Sequence, residues 1–268
     1  MLEKFIMNKD GSTNPCGDGL VICDHFYAVI DGVTPKGNML WNHQKSDVYV
    51  SQLLSETIKQ LPKDIDAQKA IALLNEAIAC EYTKRNINYQ TLAIEEQLRA
   101  SVIIYSKYHQ EVWNFGDCKL RINDQCFDHH KVLDELFADL RLYFNELAKL
   151  KGHEANIDYG RKQIIPYMKE NMIFANSDSI FTFQVLNGGN IDLNKIQIYK
   201  LKVKDKVVLA SDGYPKLFLT LKASEDYLKA AIKQDPMCMN ILKGTKAIKA
   251  SNVSYDDRTY IGFEVKEY

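Results

Sequence analysis

The sequence FYAVIDGV, residues 26–33, is an apolar run that ends in Asp31-Gly32 and leads into a loop containing proline and glycine. Such a run is typical of a buried β-strand that carries a carboxylate at its last position. Because Gly32 has no side chain, a backbone oxygen can also approach a ligand closely. Mg²⁺ and Mn²⁺ bind oxygen ligands of both kinds. The stretch therefore predicts one edge of a metal site.

The same arrangement recurs further along the chain. Residues 207–213, VVLASDG, form a second apolar run ending in Asp212, and Asp256 opens the final apolar strand. Asp117 lies in a Gly-Asp turn between two predicted strands. A single Asp-Gly after a strand is usually only a turn. Four such positions in one chain favour a shared site, where two ions about 4 Å apart can activate a water and neutralise a phosphoryl oxygen.

Composition limits the classes of protein to be considered. The chain has 268 residues, of which 46% are hydrophobic and 26% charged, with a net charge of −1. These values indicate a globular protein without a nucleic-acid or membrane partner, and they specify no oligomeric state. No apolar run of membrane-spanning length and no secretory signal pattern is found, and the six cysteines form no Cys-x-x-Cys pair. We therefore expect a cytoplasmic protein with reduced thiols.

The periodicity of apolar residues predicts the order of the elements. Strands are expected at 19–23 and 26–30, followed by two amphipathic helices, of which the first ends at Pro62 and the second begins after the N-cap Asp66. Short strands with tight turns then argue for antiparallel pairing. Paired helices together with antiparallel strands predict an α+β fold, a four-layer α-β-β-α sandwich of two antiparallel sheets flanked by helix pairs. Further predicted strands are 100–105, 111–115, 119–122, 180–186, 196–201, 207–210 and 259–265.

No linker or repeat divides the chain, so residues 1–268 are expected to form a single domain. Residues 131–150 are predicted to be helical, 151–161 a polar loop, and 217–221 and 225–234 helical. His129-His130 is expected in a solvated turn, since adjacent residues do not face one another. The region 123–178 is predicted to form a flap beside the site that biases substrate choice.

Five short motifs occur in a characteristic order. They are Asp31-Gly32, Ala100-Ser101-Val102, Gly116-Asp117-Cys118-Lys119, residues 210–213 (ASDG) and residues 256–259 (DDRT). In this order and spacing the chain resembles the metal-dependent Ser/Thr protein phosphatases of the PPM (type 2C) family, as a divergent bacterial-type member. The resemblance runs from about residue 11 to 268 and implies an α-β-β-α sandwich, in agreement with the layers predicted above.

The resemblance also implies a role for each matched residue. Asp31 corresponds to the carboxylate that bridges two Mg²⁺ or Mn²⁺ ions, and the Gly32 carbonyl to a ligand of one ion. Asp212 and Asp256 correspond to the remaining carboxylates of the other ion. Asp117 corresponds to a ligand of an additional, weaker ion. Asp18 stands where the family usually has the aspartate of a Glu-Asp pair.

Three departures from the family pattern concern the chemistry. The histidine proposed as a general acid in the family is absent after Gly32, although some bacterial branches also lack it. Gly17 replaces a glutamate that holds metal-bound water. No phosphate-binding arginine precedes it in residues 11–14; Lys36 could replace it electrostatically or could be a solvated loop lysine. Arg258 is expected to project to solvent or to a surface partner.

Two main functions follow. The first is a Mg²⁺- or Mn²⁺-dependent phosphatase that hydrolyses phosphoserine or phosphothreonine in proteins by direct attack of a metal-bound water, with Asp31, Asp212 and Asp256 as the catalytic carboxylates. The second is a catalytically weak or inactive PPM-like protein that binds a partner or a phosphopeptide. A hydrolase of nucleotides or small phosphates on the same scaffold is a third possibility.

Overall fold

The computed structural model describes residues 2–12, 15–128, 131–154 and 157–268. The turn expected at His129-His130 lies outside these residues. Within them the strands are β1 (Glu3–Met7), β2 (Asp18–Ile22), β3 (Phe26–Gly32), β4 (Ala100–Ser106), β5 (Glu111–Phe115), β6 (Lys119–Ile122), β7 (Gln125–Phe127), β8 (Gln197–Lys200), β9 (Lys206–Ala210) and β10 (Arg258–Glu264). The helices are α1 (Ser46–Lys59), α2 (Ala67–Lys84), α3 (Val132–Leu150), α4 (Tyr159–Glu170) and α5 (Leu221–Gln234).

The strands form two antiparallel sheets of five strands each. The first sheet has the order β1-β10-β9-β6-β7, and the second sheet has the order β2-β3-β4-β5-β8. The chain crosses from the second sheet to the first at the Gly116-Asp117 turn and returns with β8 before β9. Residues separated widely in sequence therefore meet where the two sheets end side by side.

A buried apolar layer joins the sheets. One face of each sheet contributes to it, with Val29 and Ile103 from the second sheet and Leu209 and Ile261 from the first. The opposite face of the second sheet, including Ala28 and Ile30, is covered by α1 and α2. On the outer face of the first sheet, Val208, Ala210 and Tyr260 pack against Tyr214 and Leu217, and α5 lies beside β1. The predicted α+β sandwich of two antiparallel sheets is confirmed.

The helices over the second sheet follow their sequence pattern closely. Val50, Leu54 and Ile58 of α1 recur at helical spacing and are fully buried, as an amphipathic helix on a sheet requires. Asp66 caps α2, because its side chain accepts a hydrogen bond from the Lys69 backbone N–H at 2.8 Å. This cap ends the short connection after α1 and orients α2 against it.

Helices α3 and α4 pack mainly on each other and form a helical hairpin beside the sheets. Leu133, Phe137 and Ile164 make its small core. The sequence did not predict α4, which contains Pro166 and begins inside the segment expected to be a polar loop. The prediction of a strand at 180–186 is wrong, since this segment forms only isolated β-bridges, at Phe183 and Leu186.

Other differences lie at the edges of the first sheet. Strand β1 has no counterpart among the predicted strands, because its side chains alternate between partly exposed and exposed and give little apolar signal. The helix expected at 217–221 is absent, and α5 begins only at Leu221. In the described part of the chain no helix is both long and apolar enough to cross a membrane. All six cysteines are free thiols.

Arg141 connects the helical hairpin to the segment before β10. Its fully buried guanidinium donates to the Asp158 carboxylate at 2.9 Å and to the carbonyls of Met237, Cys238 and Gly244 at 2.6, 3.0 and 2.8 Å. Asp158 in turn caps α4 and accepts from the Ala247 N–H at 3.1 Å. One buried cation therefore connects α3, α4 and residues 237–247.

Replacing Arg141 with methionine tests this connection. The change removes the buried cation that pairs with Asp158 and the donor to three carbonyls, so we expect a loss of about 3–5 kcal/mol in the free energy of unfolding and faster proteolysis within residues 235–247. Urea unfolding and limited proteolysis measure both effects. The control is Lys149→Met, which removes an exposed charge from the same helix. Equal stability of the two variants would contradict the assignment.

Candidate metal centre

Asp31 lies at one end of the apolar layer between the two sheets, and we call this end the mouth. Its side chain projects from the same face of β3 as Val29, which is in the inter-sheet core, because side chains alternate along a strand. The Gly32 N–H donates to the Gly17 carbonyl at 3.2 Å. A Cβ atom on Gly32 would collide with the carbonyls of Gly17 and Asp47, so only glycine allows this close approach. The sheet therefore holds the Asp31 carboxylate at a fixed, crowded edge.

Asp18 and Asp212 come close to Asp31 from two other strands. Asp18 is directly opposite Asp31 in the β2–β3 pair, and it accepts a hydrogen bond from the Thr259 hydroxyl at 3.0 Å. The β9–β10 ladder continues to Ser211 and Thr259, and the next residue, Asp212, donates its backbone N–H to Asp31 at 3.4 Å. Strand pairing thus places Asp18 beside Asp31, and the packing of the two sheets brings Asp212 to them.

The three carboxylates repel one another. Burial, together with the neighbouring carboxylates, raises the pKa of Asp18 and of Asp31 well above the ordinary value. Burial and the charges of Asp256 and Asp117 raise the pKa of Asp212 to about 7. Among the described Lys, Arg and His side chains, none forms an ion pair with any of the three. Such a group of carboxylates gains most from binding a cation.

Asp256 is in a different electrostatic state. Lys9 contacts its carboxylate at 2.8 Å, and Lys246 contacts the other oxygen. Although burial acts to raise it, Lys246 and Lys9 lower the pKa of Asp256 to about 2. Two ammonium groups therefore already neutralise the carboxylate that was expected to complete the Asp31–Asp212 ion site.

Asp117 is likewise paired with a lysine. It contacts the Ser101 hydroxyl and the Lys131 ammonium, each at 2.5 Å. Burial acts to raise the pKa of Asp117, but Lys131 and Ser101 hold it below the ordinary value. Because Lys131 immediately precedes α3, this ion pair also attaches the helical hairpin to the site.

The five carboxylates described above are therefore not equally suited to bind a divalent ion. Asp18, Asp31 and Asp212 offer unpaired carboxylate oxygens, which is the donor chemistry that Mg²⁺ and Mn²⁺ require. An ion that uses Asp256 or Asp117 must first displace an ammonium group. Across the described ranges, no three His, Cys, Asp or Glu side chains already stand in metal-ligand geometry. The carboxylates of this site are therefore not equally available to a cation.

Several residues near the site were not singled out from the sequence. The side chain of Asp257 accepts from the backbone N–H groups of Lys9 and Gly17 at 2.9 and 3.1 Å. A Cβ atom on Gly17 would lie only 2.8 Å from the Asp257 carboxylate and 3.1 Å from that of Asp47. The position expected to carry a glutamate is therefore glycine because two other carboxylates occupy the adjacent space. Only the doubled Asp256-Asp257 gave a sequence signal for this.

Two expectations about cations are corrected. Arg258 does not project to solvent; it is buried and pairs with Glu225 at 2.7 Å and with the Ser254 hydroxyl at 2.9 Å. Lys36 is only partly exposed, and burial, with Arg161 and Lys246 nearby, lowers the pKa of its ammonium group to about 8, so it is not a fully solvated loop lysine.

The fold is shared with solved bacterial phosphatase structures. The chain is similar to the serine/threonine phosphatase PstP/Ppp of Mycobacterium tuberculosis, with a TM-score of 0.53 and 12% identity over 99% of this chain and 98% of that chain. It is also similar to the catalytic domain of PstP in complex with two manganese ions, with a TM-score of 0.50 and 13% identity over 98% and 96% of the respective chains. No protein-family model and no curated protein sequence matches it. The chain therefore has the PPM phosphatase fold that its motifs implied.

The raised pKa values predict how stability depends on pH in the absence of metal. Between the ordinary Asp value of 3.8 and about 7, the folded chain retains a proton on Asp212 that the unfolded chain releases. Rising pH therefore favours the unfolded chain in this window, and stability falls. Urea unfolding from pH 5 to 7.5 should show this fall in the wild type and a smaller fall in Asp212→Asn. In the control Asp124→Asn, whose carboxylate is fully exposed, stability should fall with pH as steeply as in the wild type.

Added Mn²⁺ should reverse the loss. Because the ion binds the folded chain through ionised carboxylates, it should raise the midpoint of thermal unfolding more at pH 7.5 than at pH 5.5. The shift should be much smaller in Asp212→Asn. An equal shift in wild type and Asp212→Asn would place the ion elsewhere.

Proposed function

We propose that the chain is a divergent, bacterial-type PPM phosphatase that hydrolyses phosphoserine or phosphothreonine in proteins with the help of Mg²⁺ or Mn²⁺. The observation that carries this proposal is the meeting of Asp18, Asp31 and Asp212 at the mouth between the sheets, with raised pKa values and no ion-pair partner among the described basic residues. When bound, a divalent ion supplies Lewis-acid stabilisation and an activated water for direct attack on phosphorus, without a covalent enzyme intermediate.

Each residue has a defined part in this proposal. Asp31 would be the central metal ligand, Asp212 would complete one ion site, and the Gly32 carbonyl together with Asp18 would serve the other. Asp256 joins the first site only when Lys9 and Lys246 release it. In the same way Asp117 serves a third, weaker ion only when it is released by Lys131.

Residues 1–268 make one PPM-type domain in this proposal, and 123–178 form a flap-like insertion. The contact of Lys131 with Asp117 and the connections of Arg141 support a flap held next to the site. A phosphoprotein is the proposed substrate, and the cytoplasm stays the predicted location. Small phosphates or nucleotides remain an alternative substrate class, which substrate profiling separates from phosphoproteins.

A second candidate function is a weak or inactive PPM-like protein that binds a partner or phosphopeptide. It is favoured by the two lysines on Asp256 and the lysine on Asp117, because these ammonium groups compete with metal ions. Hydrolysis of p-nitrophenyl phosphate with and without Mn²⁺, combined with calorimetric titration of Mn²⁺, distinguishes the two functions. Metal binding without turnover supports the second.

The replacement Asp31→Asn tests the proposed activity. It removes the central negative charge while keeping size and hydrogen-bonding capacity, so Mn²⁺-dependent hydrolysis of a phosphothreonine peptide should fall at least a hundredfold. Released phosphate is the readout, and circular dichroism checks that the fold is intact.

The matched control is Asp226→Asn, which changes an exposed carboxylate on α5 that pairs with Lys222. Its turnover should equal that of the wild type. Turnover close to wild type in Asp31→Asn would reject the assignment of the site.

A further inference from the structure

The apolar layer between the sheets has a second end, opposite the mouth. Three aromatic side chains of this layer lie there, namely Tyr27 of β3, Tyr105 of β4 and Phe263 of β10. Tyr27 precedes Asp31 by four residues on the same strand, so roughly 13 Å of extended chain separates the two. The aromatic end is therefore a different place from the metal centre.

The three rings form part of the wall of a cavity of about 250 Å³. Phe263 stacks on Tyr105 with ring centroids 4.6 Å apart, and Tyr27 meets Phe263 edge to face at 5.1 Å. Tyr268 closes another side, where its hydroxyl is hydrogen-bonded to His25 Nδ1 at 3.1 Å. The remaining lining residues are Leu2, Lys107, Glu264, Lys266 and Glu267. Both sheets thus contribute to the cavity.

Tyr105 brings a hydroxyl without a partner to this cavity. The residue is only 3% exposed, and its hydroxyl forms no hydrogen bond within the described residues. The hydroxyl of Tyr27 forms none there either. Burial, with Tyr27 nearby, raises the pKa of Tyr105 to about 12, so its hydroxyl is protonated at neutral pH and can donate. Because a buried hydroxyl without a partner is unfavourable, a ligand that hydrogen-bonds to it gains affinity.

The charged side chains around the cavity balance one another. Two lysines, Lys107 and Lys266, are matched by two glutamates, Glu264 and Glu267. The Lys107 ammonium lies 4.4 Å from the centre of the Tyr27 ring, and the other three side chains are exposed at the rim. Equal numbers of positive and negative charges favour a neutral ligand over a strongly charged one.

The shape and chemistry of the cavity define the ligand. Aromatic rings attract other flat rings, which bind stacked or edge to face. The volume lies below the roughly 300–1,000 Å³ of pockets for drug-sized ligands, so the ligand is smaller than these. We propose that the cavity binds a neutral, planar aromatic molecule of one or two fused rings, with hydrogen-bonding groups that pair with the Tyr105 and Tyr27 hydroxyls. A free nucleobase and a phenol share this chemistry.

This site goes beyond the proposed function and requires neither metal nor turnover. The test is titration of the isotope-labelled full chain in EDTA, followed by its backbone amide chemical shifts. Adenine and phenol probe the proposed chemistry, and both should bind saturably. Cyclohexanol keeps the hydroxyl of phenol but is not planar, so it should bind about tenfold more weakly than phenol. Adenosine monophosphate adds negative charge to the base and should bind no more tightly than adenine.

Two variants assign the binding to the cavity. Tyr105→Phe removes only the hydroxyl, breaks no described hydrogen bond and should weaken binding of the tighter probe about tenfold. Tyr27→Leu removes one ring of the wall and should weaken binding by about the same factor, with circular dichroism as the check that it folds. The matched control is Tyr167→Phe, which makes the same change at an exposed tyrosine of α4 and should leave binding unchanged.

Each outcome bears directly on the site. Shift changes centred on the cavity residues of β3, β4 and β10, with the losses stated above, support it. Tighter binding of adenine than of phenol then identifies a nucleobase as the ligand type, and the reverse identifies a phenol. The proposal is overturned if neither probe binds saturably or if both variants bind as tightly as the wild type. Binding of cyclohexanol as tight as that of phenol, or of adenosine monophosphate tighter than that of adenine, also overturns it.

Discussion

Repulsion among carboxylates held at one end of two packed sheets is the constraint on which this structure depends. Pairing of β2 with β3 places Asp18 opposite Asp31, and the ladder between β9 and β10 brings Asp212 to the same edge. Strand pairing and the apolar layer between the sheets stabilise this arrangement against the repulsion. Lysines neutralise Asp256 and Asp117, whereas Asp18, Asp31 and Asp212 form no ion pair with the described basic residues, which is why we propose them as metal ligands.

The lysines that pair with Asp256 and Asp117 distinguish this site from one whose carboxylates bind only metal ions. Lys9 and Lys246 hold Asp256 strongly ionised, while Lys131 does the same for Asp117 and joins the helical hairpin to the sheets. Arg141 connects that hairpin to the segment that carries Lys246. Charge at the mouth and the position of the hairpin are therefore connected through a few ion pairs.

Much of the fold could be predicted from the sequence because its strongest signals are local. The buried run ending at Asp31 and the N-cap at Asp66 are each fixed by neighbouring residues. Strand β1 could not be predicted, since a half-exposed edge strand shows little apolar signal. Helix α4 was not predicted because it contains Pro166 and its composition is polar, and both features weaken the sequence pattern of a helix. Asp31 and Asp212 were predicted from strand ends and Asp18 from the family resemblance, but the lysines that neutralise Asp256 come from segments whose approach only the tertiary structure reveals.

Anomalous scattering from a crystal soaked in Mn²⁺ at pH 7.5 tests the central claim most directly. The structure predicts an anomalous peak bound by carboxylate oxygens of Asp31 and Asp212, near the Gly32 carbonyl, with any second peak accompanied by movement of Lys9 and Lys246 away from Asp256. Absence of a peak at Asp31 and Asp212 at saturating Mn²⁺, with the three carboxylates unliganded, would contradict it.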